Sequence, residues 1–199
     1  MKKLIIFLMT MVLCFGLTAC GGQQATVSPA NPLGFNPNNP EGWSVEAQDK
    51  WQDWSDWMTS KGLPISGKDY SVGDFSLGMS LKKAAKYFSA KPFSETEEDN
   101  GSYIEQKVTL NSLVLCFIKS DNHPSVSLRE IDITGKKYAT PRGLRVGDSA
   151  EKLYELYGIP ASVSKNVWTF ACENETRENF YVTVVNGVVE KIRTTNIAD

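Results

Sequence analysis

The chain has little of three things on which many activities depend: histidine, cysteine and an excess of charge. It has one histidine and four cysteines in 199 residues, and its formal net charge is −2. No His-x-x-x-His or Cys-x-x-Cys pair marks a metal site, and no Gly-x-Ser-x-Gly, Walker or dinucleotide-binding glycine motif is present. Since basic residues are not in excess, we expect no nucleic-acid partner. The sequence therefore predicts no metal, no cofactor and no enzyme.

The sequence also lacks an apolar run of the length that crosses a bilayer. Its longest run, residues 4–17, falls short of the roughly 20 residues that a membrane helix needs. This run follows Lys2 and Lys3 and is closed by the small pair Thr18-Ala19 before Cys20. A basic start, a short apolar segment and small residues are typical of an export signal, which we place at residues 1–19.

The four residues Leu17-Thr18-Ala19-Cys20 resemble the lipobox of bacterial lipoproteins. The resemblance implies that the thiol of Cys20 takes a diacylglyceryl group and becomes the new N-terminus, with palmitate-type acyl chains in the cell membrane. Ordinary cleavage after Ala19 and an uncleaved anchor are the alternatives. Gly21 follows the cysteine, so the aspartate that retains many lipoproteins at an inner membrane is absent. We expect an exported protein that faces outward, on an outer membrane if the cell has one.

The residues after the cysteine divide into a tether and a helix. Residues 20–42 are rich in Gly, Gln, Pro and Asn, and this composition predicts a flexible tether. Residues 43–62 predict an amphipathic helix, with Ser44 as its N-cap and an end near Ser60 that Gly62 and Pro64 close. Helical spacing places one apolar stripe on this segment, formed by Ala47, Trp51, Trp54, Trp57 and Met58.

An internal repeat is the most informative pattern in the chain. Residues 77–88 align without gaps on residues 146–157, at an offset of 69. In each copy an apolar residue and a glycine precede a serine, Ser80 or Ser149, that is suited to cap a short helix. Apolar residues then follow at i, i+3, i+4 and i+7. Residues 128–131 also match 189–192, at an offset of 61.

Strand-like periodicity follows each of these helices. Strand candidates are residues 103–110, 113–118 and 126–133 in the first copy, and 167–172, 180–185 and 188–194 in the second. Asn186-Gly187 predicts a type I′ hairpin turn, and residues 70–75 and 138–144 predict lead-in strands. We therefore predict an α+β fold with two repeats, residues 69–135 and 136–199. In each repeat a short helix packs on an antiparallel meander of three to four strands.

The tandem pattern resembles the β-lactamase-inhibitor-protein-like fold and the related small outer-membrane lipoproteins of the SmpA/OmlA type. The motifs that carry the resemblance are Leu77-Gly78-Met79-Ser80, Val146-Gly147-Asp148-Ser149 and residues 187–192. The resemblance implies a non-enzymatic module whose exposed sheet face and loops bind other proteins. It does not imply inhibition of a β-lactamase, because the partner differs among members.

The candidate sites are few. Cys116 and Cys172 lie in strand-like runs, where two buried free thiols and a disulfide are both open. His123, beside Asn122 and Pro124, predicts an exposed turn residue rather than a metal ligand. The acidic run at residues 95–99 predicts a solvated loop rather than a cation site, because it lacks the ligand spacing of a calcium-binding loop.

Three functional hypotheses follow from these patterns. The leading hypothesis is a membrane-anchored module that binds an envelope or extracellular protein. The second is a glycan- or cell-wall-binding lipoprotein that uses Trp43, Trp51, Trp54 and Trp57, since indole rings stack on sugars. Packing of these indoles against the body is the competing interpretation of the stripe. The third hypothesis, an envelope enzyme or assembly factor whose chemistry is not visible in linear motifs, has no motif to support it.

Overall fold

The protein has an α+β fold, and in the part of the chain that the structure describes three helices accompany a large antiparallel sheet. A computed structural model describes residues 33–46, 48–88, 94–100, 103–120, 123–170 and 178–196. The helices are α1 (Trp51–Ser60), α2 (Leu81–Phe88) and α3 (Ala150–Tyr157). A 3-10 turn spans Gly67–Tyr70. The strands are β1 (Ser71–Val72), β2 (Phe75–Ser76), β3 (Ser94–Asp99), β4 (Tyr103–Leu110), β5 (Leu113–Ser120), β6 (His123–Ile133), β7 (Ser162–Ser164), β8 (Val167–Phe170), β9 (Asn179–Val185) and β10 (Val188–Thr195).

Eight of the strands form one sheet in the order β3-β4-β5-β6-β10-β9-β8-β7, and all neighbours are antiparallel. Strands β6 and β10 therefore join a half made of β3 to β6 to a half made of β7 to β10. Helix α2 contacts β6, and helix α3 contacts β10. Because successive side chains of a strand alternate between the two faces, one face of the sheet carries the core. The core includes Leu113, Leu115, Phe117, Val182 and Ile192.

The segments that begin at Leu77 and Val146 have matching hydrogen bonds to the sheet. The backbone N–H of Gly78 donates to the carbonyl of Leu128, and that of Gly147 donates to the carbonyl of Val189. Leu128 and Val189 donate back to Met79 and Asp148. Gly147 and Asp148 lie 69 residues after Gly78 and Met79, and Val189 lies 61 residues after Leu128. These are the same offsets that align the two segments in the sequence.

The predicted caps at Ser80 and Ser149 and the predicted turn at Asn186-Gly187 are confirmed. The hydroxyls of Ser80 and Ser149 accept hydrogen bonds from the N–H groups of Lys83 and Lys152, as N-caps do. Asn186 and Gly187 both have positive φ, 51° and 76°, which is the backbone of a type I′ turn. Both signals act within a few residues, so the local sequence suffices to specify them.

The predictions for strands and loops need five corrections. Residues 70–75 do not form one lead-in strand: they include the end of a 3-10 turn and the two-residue strand β1, which pairs with β2. Residues 138–144 form a turn, in which the N–H of Gly143 donates a hydrogen bond to the carbonyl of Thr140. The acidic run at 95–99 is no loop, because it lies in β3 and pairs with β4. The sequence pattern does not predict the three-residue strand β7. Strand β6 begins at His123, so His123 pairs with Ser120 rather than lying in the turn.

The predicted helix over residues 43–62 is wrong at its start, since α1 begins only at Trp51. Ser44 is not an N-cap, because it forms a β-bridge to Ser162 at the edge of the sheet. The adjacent N–H of Val45 donates to Ala161. Asp49 then adopts a φ of 53°, which a helix does not allow. The pairing with β7 thus replaces the first turns of the expected helix.

The predicted tether also ends earlier than composition suggests. From residue 33 onward the chain packs on the body, and we call residues 33–46 the N-terminal strap. Leu33 and Phe35 are buried, and the ring of Phe35 lies 5.2 Å from Trp43 and 5.3 Å from Trp168. These two side chains, together with the buried Val45 and the hydrogen bond from its N–H to Ala161, hold on the body a segment that is otherwise polar and rich in proline. Residues 20–32 lie outside the described residues.

Candidate functional site: the open face of the sheet

The face of the large sheet opposite the core forms a continuous surface that no described helix covers. Outward-pointing residues of β4, β5, β6, β10, β9 and β8 make up this open face, and strand register sets their neighbours. Lys107 lies opposite Cys116, Cys116 opposite Glu130, Asp132 opposite Arg193, and Arg193 opposite Tyr181. Side chains from both halves of the sheet therefore meet at its centre.

A network of ion pairs occupies this centre. The guanidinium of Arg193 donates to both carboxylate oxygens of Asp132, at 2.8 and 3.0 Å, and approaches Glu130 at 3.3 Å. Lys191 lies 2.6 Å from the same Asp132 carboxylate. A fork-to-carboxylate pair of this kind fixes both charge and orientation. It connects β10 to β6, the two strands at which the halves of the sheet join.

The environment shifts the pKa values of the acids in opposite directions. Burial, together with the nearby charge of Asp132, raises the pKa of Glu130. The hydrogen bond from Lys107, 2.6 Å away, lowers the pKa of Glu105 despite its partial burial. The hydrogen bonds to Asp132 raise the pKa of Arg193 further. At neutral pH the face therefore carries several charged groups that compensate one another.

A depression of about 510 Å³ lies on this face over the C-terminal half of the sheet. Its lining combines the apolar side chain of Val167 with hydroxyl, amide and charged groups, which come from Glu130, Asn179, Tyr181, Thr183, Lys191, Arg193 and Thr195. A depression with convergent polar groups can receive a side chain or a loop of another molecule.

The thiol of Cys116 is buried beneath this surface and has low reactivity. It is buried and free, and it donates a hydrogen bond of 3.2 Å to the Glu105 carboxylate. Burial raises the pKa of the Cys116 thiol well above its ordinary value, and the hydrogen bond to Glu105 raises it further. Since the thiolate is the reactive form, Cys116 is unsuited to act as a nucleophile.

We predict that folding suppresses ionisation of Cys116 at alkaline pH. The unfolded thiol titrates near pH 8.5, whereas the folded thiol stays protonated, so this group's contribution to stability is complete below that pH and declines above it. The decline should approach about 1.4 kcal/mol per pH unit. Urea unfolding of wild type and Cys116→Ala between pH about 8 and about 10 measures it. Equal slopes in the two proteins would contradict the prediction.

The tryptophan side chains of the predicted stripe do not form an exposed surface. Trp54 is buried, and its indole N–H donates to the carbonyl of Ile159 at 2.8 Å. Trp43 donates likewise to Pro160, and Trp57 is half-buried against Tyr154. Trp51 alone of this group is largely exposed, at 45 %. The indoles hold the strap and α1 to the turn after α3, which agrees with the packing interpretation.

Several predicted site residues cannot be placed on this surface. Cys20 and Cys172 lie outside the described residues, so the lipid attachment remains a prediction, and of the two alternatives for Cys116 the structure shows the free thiol. Within the described ranges, no group of three or more His, Cys, Asp or Glu side chains could hold a metal ion. None of the helices described has the length and apolar character needed to cross a bilayer.

Sequence reasoning missed the central ion-pair network. The sequence does not single out Asp132, Lys191 and Arg193, because Asp132 lies 61 residues before Arg193 along the chain. The available signal is the alternation of charged and apolar residues in β6 and β10, which marks one face of each strand as polar. It becomes informative only once the pairing of β6 with β10 is known.

The chain has only a low structural similarity to known proteins. No protein-family model and no curated protein matches the chain. Among solved structures, the chain is similar to the uncharacterized protein yfeY from Escherichia coli, with 13% identity and a TM-score of 0.42 over 64% of this chain and 97% of that one. It is also similar to a protein from Streptococcus mutans described as a "putative beta-lactamase inhibitor protein", with 14% identity and a TM-score of 0.26 over 74% of this chain and 99% of that one.

Proposed function

We propose that this protein is a non-enzymatic protein-binding module and that the open face of its large sheet is the binding surface. The observation that carries the proposal is the uncovered polar face, on which both halves of the sheet present side chains around one depression. A broad polar surface on a rigid sheet suits recognition of another protein. The charged groups of the face pair with one another and Cys116 is held protonated, which favours binding over catalysis.

We also propose that the chain is a tandem duplication, of the type that the SmpA/OmlA resemblance implies. The pairing of β6 with β10 supports it: Ile133 pairs with Ile192, and Ile131 pairs with Thr194. At the offset of 61, Ile131 corresponds to Ile192 and Ile133 to Thr194. Exchanging the two halves therefore converts the Ile133–Ile192 pair into the Ile131–Thr194 pair, and the reverse. A pseudo-twofold axis that passes between Asp132 and Arg193 has this effect.

Site-specific photo-crosslinking in the producing cell tests the binding surface. A benzophenone side chain at Tyr181, on the open face, should yield a discrete adduct with another protein. The same side chain at Glu151, exposed on α3 on the opposite side of the sheet, is the matched control. Adducts of equal yield from both positions, or adducts from Glu151 only, would overturn the proposal.

A lipid anchor on Cys20 completes the proposed function. Two or three acyl chains, at about 0.8 kcal/mol per buried methylene, hold a protein on a membrane far better than one chain does. We predict that Cys20→Ala moves the protein out of the membrane fraction, or leaves it unprocessed, and removes labelling by a fatty-acid analogue. Cys116→Ala is the control, since its thiol is buried in the fold. Labelling of Cys20→Ala at the wild-type level would refute the anchor.

A further inference from the structure

The ion pairs of the open face share one feature: in each of them the acid is the more buried partner. The side chain of Lys107 is 41% exposed over Glu105 at 16%, and that of Lys191 is 33% exposed over Asp132 at 10%. Arg193 is 39% exposed over Glu130 at 16%. The cations thus form an outer layer and the carboxylates an inner one. An approaching molecule meets positive charge first.

This layering matters because it opposes the charge of the chain as a whole. The sequence has 21 basic and 23 acidic residues, and loss of Lys2 and Lys3 with the export signal would leave 19 and 23, a net charge of −4. A partner with an acidic surface is repelled by the net charge of such a protein, whereas at the open face it meets the more exposed cations first. Electrostatic complementarity of this kind selects both the partner and its orientation.

We infer that the open face binds an acidic segment of a partner protein, with partner carboxylates seated over Lys107, Lys191 and Arg193. The inference rests on the proposed function and names the partner's chemistry. The depression beside Lys191 and Arg193 adds hydroxyl and amide groups from Tyr181, Thr183 and Asn179 that can donate to carboxylates.

A protein carboxylate fits this surface better than a nucleic-acid backbone does. Each cation here lies directly over an acid, so the positive layer is thin and interrupted. A strand of regularly spaced phosphates needs several uncompensated cations in a row. Isolated carboxylates need only one cation each, with hydroxyl donors around them.

Binding of short labelled peptides to the full-length protein in detergent micelles tests the inference. Peptides of equal length, rich in glutamate, rich in lysine, or built of serine and glycine alone, are compared with an oligothymidylate by fluorescence anisotropy. The glutamate peptide should bind best, and more weakly as salt rises from about 50 to about 300 mM.

Charge-removing variants connect this binding to the open face. Lys107→Gln and Lys191→Gln should each weaken binding of the glutamate peptide about three- to tenfold. Asp132 keeps Arg193 as a partner in Lys191→Gln, so the fold is retained. Lys152→Gln is the matched control, because Lys152 also lies over a less exposed acid, Asp148, but on α3. Its affinity for the peptide should equal that of the wild type.

Several outcomes would overturn the inference. They are tighter binding of the lysine peptide, the neutral peptide or the oligothymidylate, an equal loss in Lys152→Gln, and no binding of any probe. A crosslinked partner at Tyr181 that contacts the face without acidic residues would also overturn it, yet would leave the proposed function standing. Absence of both peptide binding and Tyr181 adducts would count against the two together.

Discussion

Replacing Arg142 by alanine should lower the free energy of unfolding by about 3–5 kcal/mol, among the largest effects of any single substitution in this chain. The guanidinium of Arg142 donates to both oxygens of the buried Asp69 carboxylate, at 2.7 and 2.8 Å. It also donates to the carbonyls of Leu63, Pro64 and Leu156 and lies 4.8 Å from the ring centre of Tyr157. Removing it leaves a buried charge and three carbonyls without their donor.

Urea unfolding of Arg142→Ala, Arg142→Lys and Arg145→Ala measures this effect. The lysine variant should recover only part of the loss, because an ammonium group cannot reproduce the planar fork. Arg145 is the matched control, since it also donates to two carbonyls but is exposed. Its removal should cost about 0.5 kcal/mol or less. A similar cost for Arg142→Ala and Arg145→Ala would show that the buried cluster is not a stabilising centre.

Phe35→Ala should destabilise the protein by about 3–5 kcal/mol, although composition places this residue in a tether. Its ring is 1% exposed and lies among the rings of Trp43, Trp168 and Tyr154, the last at a centroid distance of 6.0 Å. Truncation therefore leaves a cavity in a cluster of large rings, where the surroundings cannot collapse easily.

Thermal or urea unfolding of Phe35→Ala and Asn38→Ala compares two positions of the strap. Asn38 is exposed, so its truncation should change stability by about 0.5 kcal/mol or less. If Phe35→Ala is as mild as Asn38→Ala, then residues 33–42 behave in solution as the flexible tether that their composition predicts.

The parts of the fold that the sequence predicts correctly depend on neighbours within a few residues. The caps at Ser80 and Ser149, the helices they begin, the Asn186-Gly187 turn and the strand Tyr103–Leu110 all belong to this group. Periodicity and turn chemistry record such features directly.

The errors arise where distant contacts override local preference. Glutamate-rich β3 has low strand propensity, yet it completes the sheet beside β4. Ser44 has the chemistry of a cap, but its bridge to Ser162 decides its conformation. The open face could not be predicted residue by residue for the same reason, because its ion pairs exist only in the register of β6 with β10.

The join between β6 and β10 also constrains how the chain reaches its native state. Every other neighbouring pair in the large sheet links strands that are consecutive along the described chain, so those hairpins close short loops and form early. The β6–β10 pairing brings together distant residues and carries the higher entropic cost of loop closure. Until it forms, each half exposes an unpaired strand edge that another copy can extend. Concentrated refolding should therefore favour intermolecular misassembly through these two edges.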